Sequence, residues 1–174
     1  MINKLNLQQI HTNKGNDLLE LSGQHPVLLV FLRHFGCVYC KESMKDIAKK
    51  RVNLENRGIH IVMVHMADNE VAEDYFKGFA LEDIEHISDK DCKVYALFGL
   101  MKGSFSQLLG LKTWIRGFEL AVAHQMFPSN QRVGDGHQMP GVFLLDKGEV
   151  KNSFVHHSVA DKPDYEELIR QCEI

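Results

Sequence analysis

A continuous apolar run at residues 26–32, PVLLVFL, constrains the fold of this chain more than any other feature of its sequence. Strands with one solvated face alternate apolar and polar residues, whereas an unbroken apolar run indicates a strand covered on both faces. A second such run, IHIVMVHM, occupies residues 59–66. Between them, apolar residues such as Met44 and Ile47 recur at helical spacing, and Gly58 supplies a helix stop. Strand, helix and strand in this order predict a right-handed βαβ unit with parallel strands.

The rest of the pattern extends this unit into a mixed sheet with helices on both faces. An Asp-Lys-Gly turn at residues 146–148 joins two late strands into a hairpin. A short strand is predicted at residues 84–88, and helices are predicted at residues 16–24, 69–79, 89–99 and 162–172. The sequence therefore predicts an α/β fold, and a length of 174 residues favours one domain over residues 1–174.

A helical insertion is predicted at about residues 90–127, between the short strand and the hairpin. Within it, residues 104–126 are rich in Leu, Phe and Trp, and we expect Gly110 and Gly117 to interrupt the helix there. The aromatic stripe of Trp114 and Phe118 is interpreted as core or as a partner surface.

Composition narrows the functional classes. The formal net charge is −3, with both signs scattered along the chain, so no basic stripe indicates nucleic-acid binding. No apolar stretch approaches a membrane span, so no membrane partner is expected. The first residues lack the apolar core of a signal peptide, which favours a reducing, cytoplasmic compartment. In such a compartment, four cysteines indicate redox or metal chemistry rather than a disulfide framework.

Cys37 and Cys40 form a C-x-x-C pair that follows the first buried strand and opens the predicted helix. A thiol attacks as its thiolate, and the N–H groups at a helix start lower the thiol pKa. Cys37 is therefore the predicted exposed nucleophile, and Cys40, one turn inward, is the more buried thiol that resolves a mixed disulfide. Arg33 and His34 follow the carboxyl end of the first strand, where positive charge would lower the pKa of Cys37 further.

Other interpretations of these residues stay open. The cysteines could be small buried hydrophobes, and Arg33 and His34 could be solvated polar residues at a strand end. A zinc site would need about four ligands, and no second C-x-x-C or H-x-x-x-H accompanies the pair. The residues that could complete such a site with Cys37 and Cys40 are His34, His65, Cys92 and His137. We expect no metal and no organic cofactor.

Two motifs carry a family resemblance. The βαβ unit with Cys37-Val38-Tyr39-Cys40, and Met139-Pro140 before a late strand, resemble the thioredoxin superfamily over residues 16–172. FLRHFGCVYC together with GDGHQMPGVFLLDKGE is similar to the peroxiredoxin-like branch related to alkyl hydroperoxide reductase and thiol-specific antioxidant proteins. The resemblance implies a three-layer thioredoxin-like fold.

The resemblance also implies a substrate-binding role for the residues around the cysteine pair. It implies that the Met139–Pro140 bond is cis and faces that pair, so that the Met139 backbone and Pro140 hold a bound chain. Gly36, which leaves space beside the Cys37 sulfur, and Tyr39 complete this predicted set.

The residues before Cys37 depart from the peroxiredoxin motif that supports peroxide reduction. Peroxiredoxins carry P-x-x-x-T-x-x-C, and here the proline and threonine places hold Val30 and His34. Strand alternation predicts that Arg33 points to the face opposite His34. Arg132 is a candidate for a peroxiredoxin-type arginine, and Cys92 and Cys172 are expected to be unreactive thiols.

The sequence therefore favours a thiol–disulfide oxidoreductase or antioxidant protein in which Cys37 attacks and Cys40 resolves. The first alternative is a thiol peroxidase in which Cys37 becomes a sulfenic acid and Cys40 resolves it. The second is a non-catalytic binding module whose C-x-x-C is structural or holds zinc. Expected substrates are a disulfide-bearing protein, a small thiol or a peroxide, with a cellular thiol system as reductant, and the protein is expected to be a monomer or homodimer.

Overall fold

A five-stranded mixed sheet forms the centre of the protein. The structure, a computed structural model, describes residues 2–126 and 133–170. The strand order is β3-β2-β1-β4-β5, in which β1, β2 and β3 are parallel and β4 and β5 run antiparallel to their neighbours. The strands are β1 (Val27–Phe31), β2 (His60–His65), β3 (Glu85–Ser88), β4 (Gly141–Asp146) and β5 (Glu149–Val155).

Helices cover both faces of this sheet, and three of them lie between β3 and β4. Early in the chain are α1 (Lys4–Gln8), α2 (Leu18–Gln24), α3 (Val38–Asn56) and α4 (Asn69–Lys77). The segment between β3 and β4 holds α5 (Lys93–Leu97), α6 (Phe105–Leu109) and α7 (Leu111–His124), and α8 (Tyr165–Ile169) follows the hairpin. The predicted α/β fold, with its mixed sheet and helical insertion, is confirmed.

The alternation of side chains along the buried strands divides the core into two clusters. Leu28 and Val30 of β1 point into one cluster with α3, α4 and α8, whereas Val27, Leu29 and Phe31 point into the other with α1, α2 and α5. Every residue of β1 is buried. The continuous apolar run is therefore explained by a central strand with helices against both faces.

Several element boundaries differ from the sequence prediction. Helix α2 begins at Leu18 rather than at residue 16, because the side chain of Asp17 caps it by accepting the Glu20 N–H at 2.8 Å. Gly110 does separate α6 from α7, but Gly117 continues α7 as an ordinary helical residue. A Cβ at position 117 would lie 3.2 Å from the Tyr39 hydroxyl, so this glycine provides a close approach between α7 and α3.

Within the described ranges, no helix is long and apolar enough to cross a membrane.

Tyr95 of α5 supports the point where the chain leaves the central strands. Its ring is fully buried, and its hydroxyl donates toward the Leu32 carbonyl and, at 3.1 Å, toward the Val64 carbonyl. Leu32 also donates its N–H to the Val64 carbonyl at 2.9 Å. These contacts fix the backbone immediately before Arg33.

We predict that Tyr95→Phe lowers the free energy of unfolding by about 1–3 kcal/mol, because the Leu32 carbonyl loses the hydrogen bond from the buried hydroxyl. Tyr165→Phe is a matched control, since the Tyr165 hydroxyl is buried and donates to no backbone carbonyl among the described residues. Urea denaturation of both variants measures the difference. Equal losses in the two variants would contradict a supporting role for the Tyr95 hydroxyl.

Candidate active site

The cysteine pair lies where β1 runs into α3. The strand ends at Phe31, a short loop follows, and Cys37 is the N-cap residue of α3 with extended backbone angles, φ −78° and ψ 127°. The Cys37 N–H donates to the His34 carbonyl at 3.0 Å, which closes a tight turn just before the helix. The predicted position of Cys37 at the helix start is confirmed.

Both cysteines have free, buried sulfurs, and Arg33 contacts one sulfur with its side chain and the other with its backbone N–H. Cys37 is 6% exposed and Cys40 is 3% exposed. The Arg33 Nη1 lies 3.5 Å from the Cys37 sulfur, and the Arg33 backbone N–H donates to the Cys40 sulfur at 3.2 Å. The side chain of Arg33 is itself buried, so its charge acts at short range with little screening by water.

The two cysteines have pKa shifts in opposite directions. A hydrogen bond from the Cys40 thiol lowers the pKa of Cys37 to about 6, with help from the Arg33 charge and the N–H groups of Cys40 and Tyr39, and against the effect of burial. The same hydrogen bond, with burial and the nearby Cys37 charge, raises the pKa of Cys40 well above its usual range. Cys37 is therefore the thiolate, and Cys40 is the thiol that donates to it.

Two expectations about this pair are wrong. Arg33 does not point to the face opposite His34, since both residues line the cavity at Cys37; β1 ends at Phe31, and strand alternation does not extend into the loop. Cys37 is buried rather than exposed, and it belongs to the core cluster that contains Leu28 and Val30. The Tyr39 hydroxyl, between the two cysteines in sequence, donates to the Thr113 carbonyl of α7 and so ties that helix to the start of α3.

The segment at residues 133–136 holds the Arg33 side chain from the other side. The Gly136 carbonyl accepts a hydrogen bond from the Arg33 Nη2, and the Phe35 N–H donates to the Val133 carbonyl at 3.3 Å. Gly134 has φ 117°, and a Cβ there would lie 2.7 Å from the Arg33 carbonyl oxygen. Only glycine fits this close approach without displacing the loop that precedes Cys37.

A cavity of about 820 Å³ opens onto Cys37. The polar side chains that line it are Arg33, His34 and His137, and Gly36 also lines it. The apolar side chains that line it include Leu108, Leu109, Trp114 and Phe118 of α6 and α7. A volume of this size is typical of sites for small organic molecules.

The other predicted substrate-binding residues lie elsewhere. Tyr39 and Pro140 line a separate small cavity with Cys40, and the Met139 N–H donates to the Met101 carbonyl at 3.2 Å. The prediction of a cis Met139–Pro140 bond is wrong, since that bond is trans. The Met139 N–H is therefore already hydrogen-bonded within the chain, to the segment around Met101. The resemblance implied that the Met139 backbone binds a substrate chain instead.

The candidate zinc ligands are not gathered into a site. Among residues 2–126 and 133–170, no group of three or more His, Cys, Asp or Glu side chains could hold a metal ion. His65 instead contacts His86, with 2.9 Å between their Nε2 and Nδ1 atoms, and accepts the Ala67 N–H. The structure therefore supplies no ligand set for the zinc alternative in the described part of the chain.

Cys92 is separate from the described walls of the Cys37 cavity. It precedes α5, its sulfur lies 3.3 Å from the Met66 sulfur, and burial raises its pKa. These features are typical of an unreactive thiol. Arg132 and Cys172 lie outside the described residues, so their expected roles stay predictions.

A model of the AhpC/TSA antioxidant enzyme family matches residues 46–158, which is more than half of the chain. The chain belongs to this family. The match begins after Cys40, so membership in the AhpC/TSA family is established without the cysteine pair.

Individual relatives of this AhpC/TSA protein are distant. It is 21% identical over 168 residues to the chloroplastic thioredoxin-like protein AAED1 of Arabidopsis thaliana, covering 91% of this chain and 67% of that protein. It is 24% identical over 176 residues to a prostamide/prostaglandin F synthase of Danio rerio, covering 97% and 86% respectively. Among solved structures, the bacterioferritin comigratory protein of Xanthomonas campestris has a TM-score of 0.64 at 13% identity, covering 92% of this chain and 87% of that one.

Sequence reasoning missed two parts of the site. The Gly136 carbonyl was not foreseen as a partner of Arg33, although the Gly-Asp-Gly segment belongs to the motif that carries the resemblance. The apolar side chains of the cavity were foreseen only as core or partner surface. The helical spacing of Trp114 and Phe118 was the available signal, but spacing alone does not tell which direction a helix face points.

We predict that alkylation of Cys37 reaches half its maximal rate near pH 6 and is flat above neutral pH. The pKa of Cys37 is lowered to about 6, so its thiolate is present above that pH and is lost as pH falls through it. Cys40→Ala removes the largest cause of the lowering and should move the half-maximum to higher pH. Rates are measured by mass spectrometry of the Cys37 peptide, and an unmoved half-maximum would contradict the assigned cause.

Proposed function

We propose that this protein is a thiol peroxidase in which Cys37 reduces a peroxide and Cys40 resolves the product. The observation that carries the proposal is the Arg33 guanidinium, 3.5 Å from the Cys37 sulfur. Peroxide reduction needs a thiolate and also a positive group for the charge that develops on the leaving oxygen. Arg33 supports both needs, because it lowers the pKa of Cys37 and stands beside the reacting atom.

The first step transfers one oxygen atom to sulfur. The Cys37 thiolate attacks the terminal oxygen of R–O–O–H, so that an S–O bond forms and the O–O bond breaks. The leaving alkoxide takes a proton from water and departs as an alcohol, and Arg33 offsets its negative charge until it does. Cys37 is oxidised to a sulfenic acid, and the peroxide is reduced.

The second step closes the disulfide. The Cys40 sulfur attacks the Cys37 sulfur, so that an S–S bond forms and the S–OH bond breaks. The departing hydroxide takes the proton of the Cys40 thiol and leaves as water. Cys40 suits this role because it lies one helical turn from Cys37, and because the Cys37 thiolate charge that raises the pKa of Cys40 is gone once the sulfenic acid has formed.

An external thiol is needed to complete the cycle. Exchange with a dithiol, or with two monothiols in sequence, returns the disulfide to two thiols. We place this exchange in a reducing, cytoplasmic compartment. The alkyl peroxide reduction described for the Xanthomonas campestris protein of similar fold is consistent with the proposed reaction.

Thiol–disulfide exchange is the second candidate function. The hydrogen bond between Cys37 and Cys40 favours it, since a paired thiolate and thiol is the arrangement that attacks and then resolves a mixed disulfide. Access weighs against a protein substrate: Cys37 is 6% exposed, and the Met139 N–H is already bonded within the chain.

We expect the reduced protein to react faster with cumene hydroperoxide than with a protein disulfide such as insulin. Stopped-flow measurements compare the two second-order rates. Cys37→Ser should abolish both reactions, because a serine hydroxyl is not ionised near neutral pH. Cys40→Ser should leave a single oxidation step and a sulfenic acid that dimedone labels. A faster rate with the protein disulfide would favour thiol–disulfide exchange over peroxide reduction as the function of this protein.

We expect Arg33→Met to slow peroxide reduction by about 100-fold, a loss typical of removing one transition-state donor. Methionine keeps much of the arginine volume, so packing around the loop is largely retained. Arg170→Met is the control, because Arg170 lies in α8's C-cap and pairs with Glu167 at the surface. Equal peroxide rates for Arg33→Met and the wild-type protein would exclude Arg33 from the reaction.

A further inference from the structure

His156 is a buried histidine whose Nδ1 atom has no hydrogen-bond partner among the described residues. The residue directly follows β5 and is 6% exposed. Phe154, two positions earlier, packs against the core cluster that contains Cys40, and strand alternation turns His156 to the same face. The rings of Phe154 and His156 lie edge to face, with 4.9 Å between their centroids. Because buried polar atoms in folded proteins are nearly always hydrogen-bonded, the Nδ1 atom of His156 requires a partner.

A small cavity brings His156 and Cys40 together. Its volume is about 10 Å³, and both residues line it, together with Ser43 and Pro140 among others. Cys37 is not among its described walls, so this cavity is separate from the one that opens onto Cys37. A space of this size holds one water molecule where polar atoms are present to bind it. A single water in it can therefore contact both the His156 ring and the Cys40 sulfur.

The protonation state of His156 determines how such a water is oriented. Burial lowers the pKa of His156 to about 4, so the ring is neutral at neutral pH. A neutral imidazole has one nitrogen that donates and one that accepts. With its proton on Nε2, the ring accepts one O–H of the water at Nδ1 and leaves the second O–H for another acceptor. The Cys40 sulfur, on the wall of the same cavity, is the acceptor whose charge changes during the reaction.

We propose that His156 is a positioning residue for the resolving thiol, which holds a water that donates a hydrogen bond to the Cys40 sulfur. The inference rests on the resolving role of Cys40 in the proposed function, and it applies equally to thiol–disulfide exchange. When Cys40 attacks Cys37, an S–S bond forms, the bond from Cys37 to hydroxide or to a thiolate breaks, and the departing group takes the Cys40 proton.

The water is useful because negative charge develops on the Cys40 sulfur as its proton leaves. The Arg33 backbone N–H already donates to this sulfur at 3.2 Å, and the water adds a second donor from the cavity. The same two donors stabilise Cys40 when an external thiolate attacks Cys37 in the disulfide and expels Cys40 as a thiolate. His156 therefore affects both the closing and the opening of the disulfide.

The experiment measures the opening step, which requires no peroxide. The Cys37–Cys40 disulfide is formed with diamide and then reduced with excess glutathione, and its loss is followed by alkylation and mass spectrometry. We expect His156→Leu to slow the opening by about tenfold, because leucine removes the acceptor that holds the water. His157→Leu is the control, since His157 is exposed and does not line the cavity.

His156→Asn distinguishes positioning from packing. The asparagine amide oxygen can accept a hydrogen bond near the place of Nδ1, so this variant should open faster than His156→Leu. Asparagine replaces the packing against Phe154 less well than leucine does, so a merely structural role predicts the reverse order. Opening of His156→Leu at the wild-type rate, or of His156→Asn no faster than His156→Leu, would overturn the proposal.

A crystal structure of the reduced wild-type protein tests the water directly. We expect one water within hydrogen-bond distance of both the His156 Nδ1 atom and the Cys40 sulfur, and a dry cavity would overturn the role of His156 even if the His156 variants did not fold.

The outcomes separate this inference from the function on which it rests. A protein that does not react with peroxide, but whose disulfide opens in the expected order across the variants, would overturn the peroxidase and support the role of His156. Peroxide reduction with equal opening rates in all variants would do the opposite. Failure of diamide to form the Cys37–Cys40 disulfide would overturn both proposals.

Discussion

The contact between the Arg33 guanidinium and the Cys37 sulfur is the interaction on which the arrangement of the site depends. A buried cation is costly unless a negative group and hydrogen-bond acceptors meet it. Here the Cys37 thiolate and the Gly136 carbonyl do so. The charged state of the thiol and the position of the arginine therefore stabilise each other.

This mutual dependence explains why distant segments converge on one loop. Tyr95 fixes the backbone at Leu32, and the glycine at position 134 allows the late loop to lie against Arg33. These contacts fix the backbone of Leu32 and Arg33, and neither of them involves a cysteine. The geometry of the thiolate is thus determined by groups that take no part in the chemistry.

Burial of the cysteine pair has a consequence for the size of its substrates. Thiol–disulfide exchange with a protein needs an open surface above the attacking sulfur, whereas a small molecule needs only a cavity. The Tyr39–Thr113 hydrogen bond ties α7 to the start of α3, and residues of α6 and α7 line the cavity that opens onto Cys37. The same insertion supplies the apolar side chains that line this cavity, so the burial of Cys37 and the apolar lining have a common structural origin.

The sequence by itself determined the sheet core, the start of α3 at the cysteine pair and the hairpin, because these features depend on local spacing and on continuous apolar runs. It also placed Cys37 and Cys40 one turn apart. Only the tertiary structure decided that Arg33 faces Cys37, that Trp114 faces water and that the Met139–Pro140 bond is trans. Each of these depends on contacts with residues far away in sequence, such as Gly136 for Arg33, Glu42 for α7 and Met101 for Met139, and no local pattern encodes which distant partner a side chain will meet.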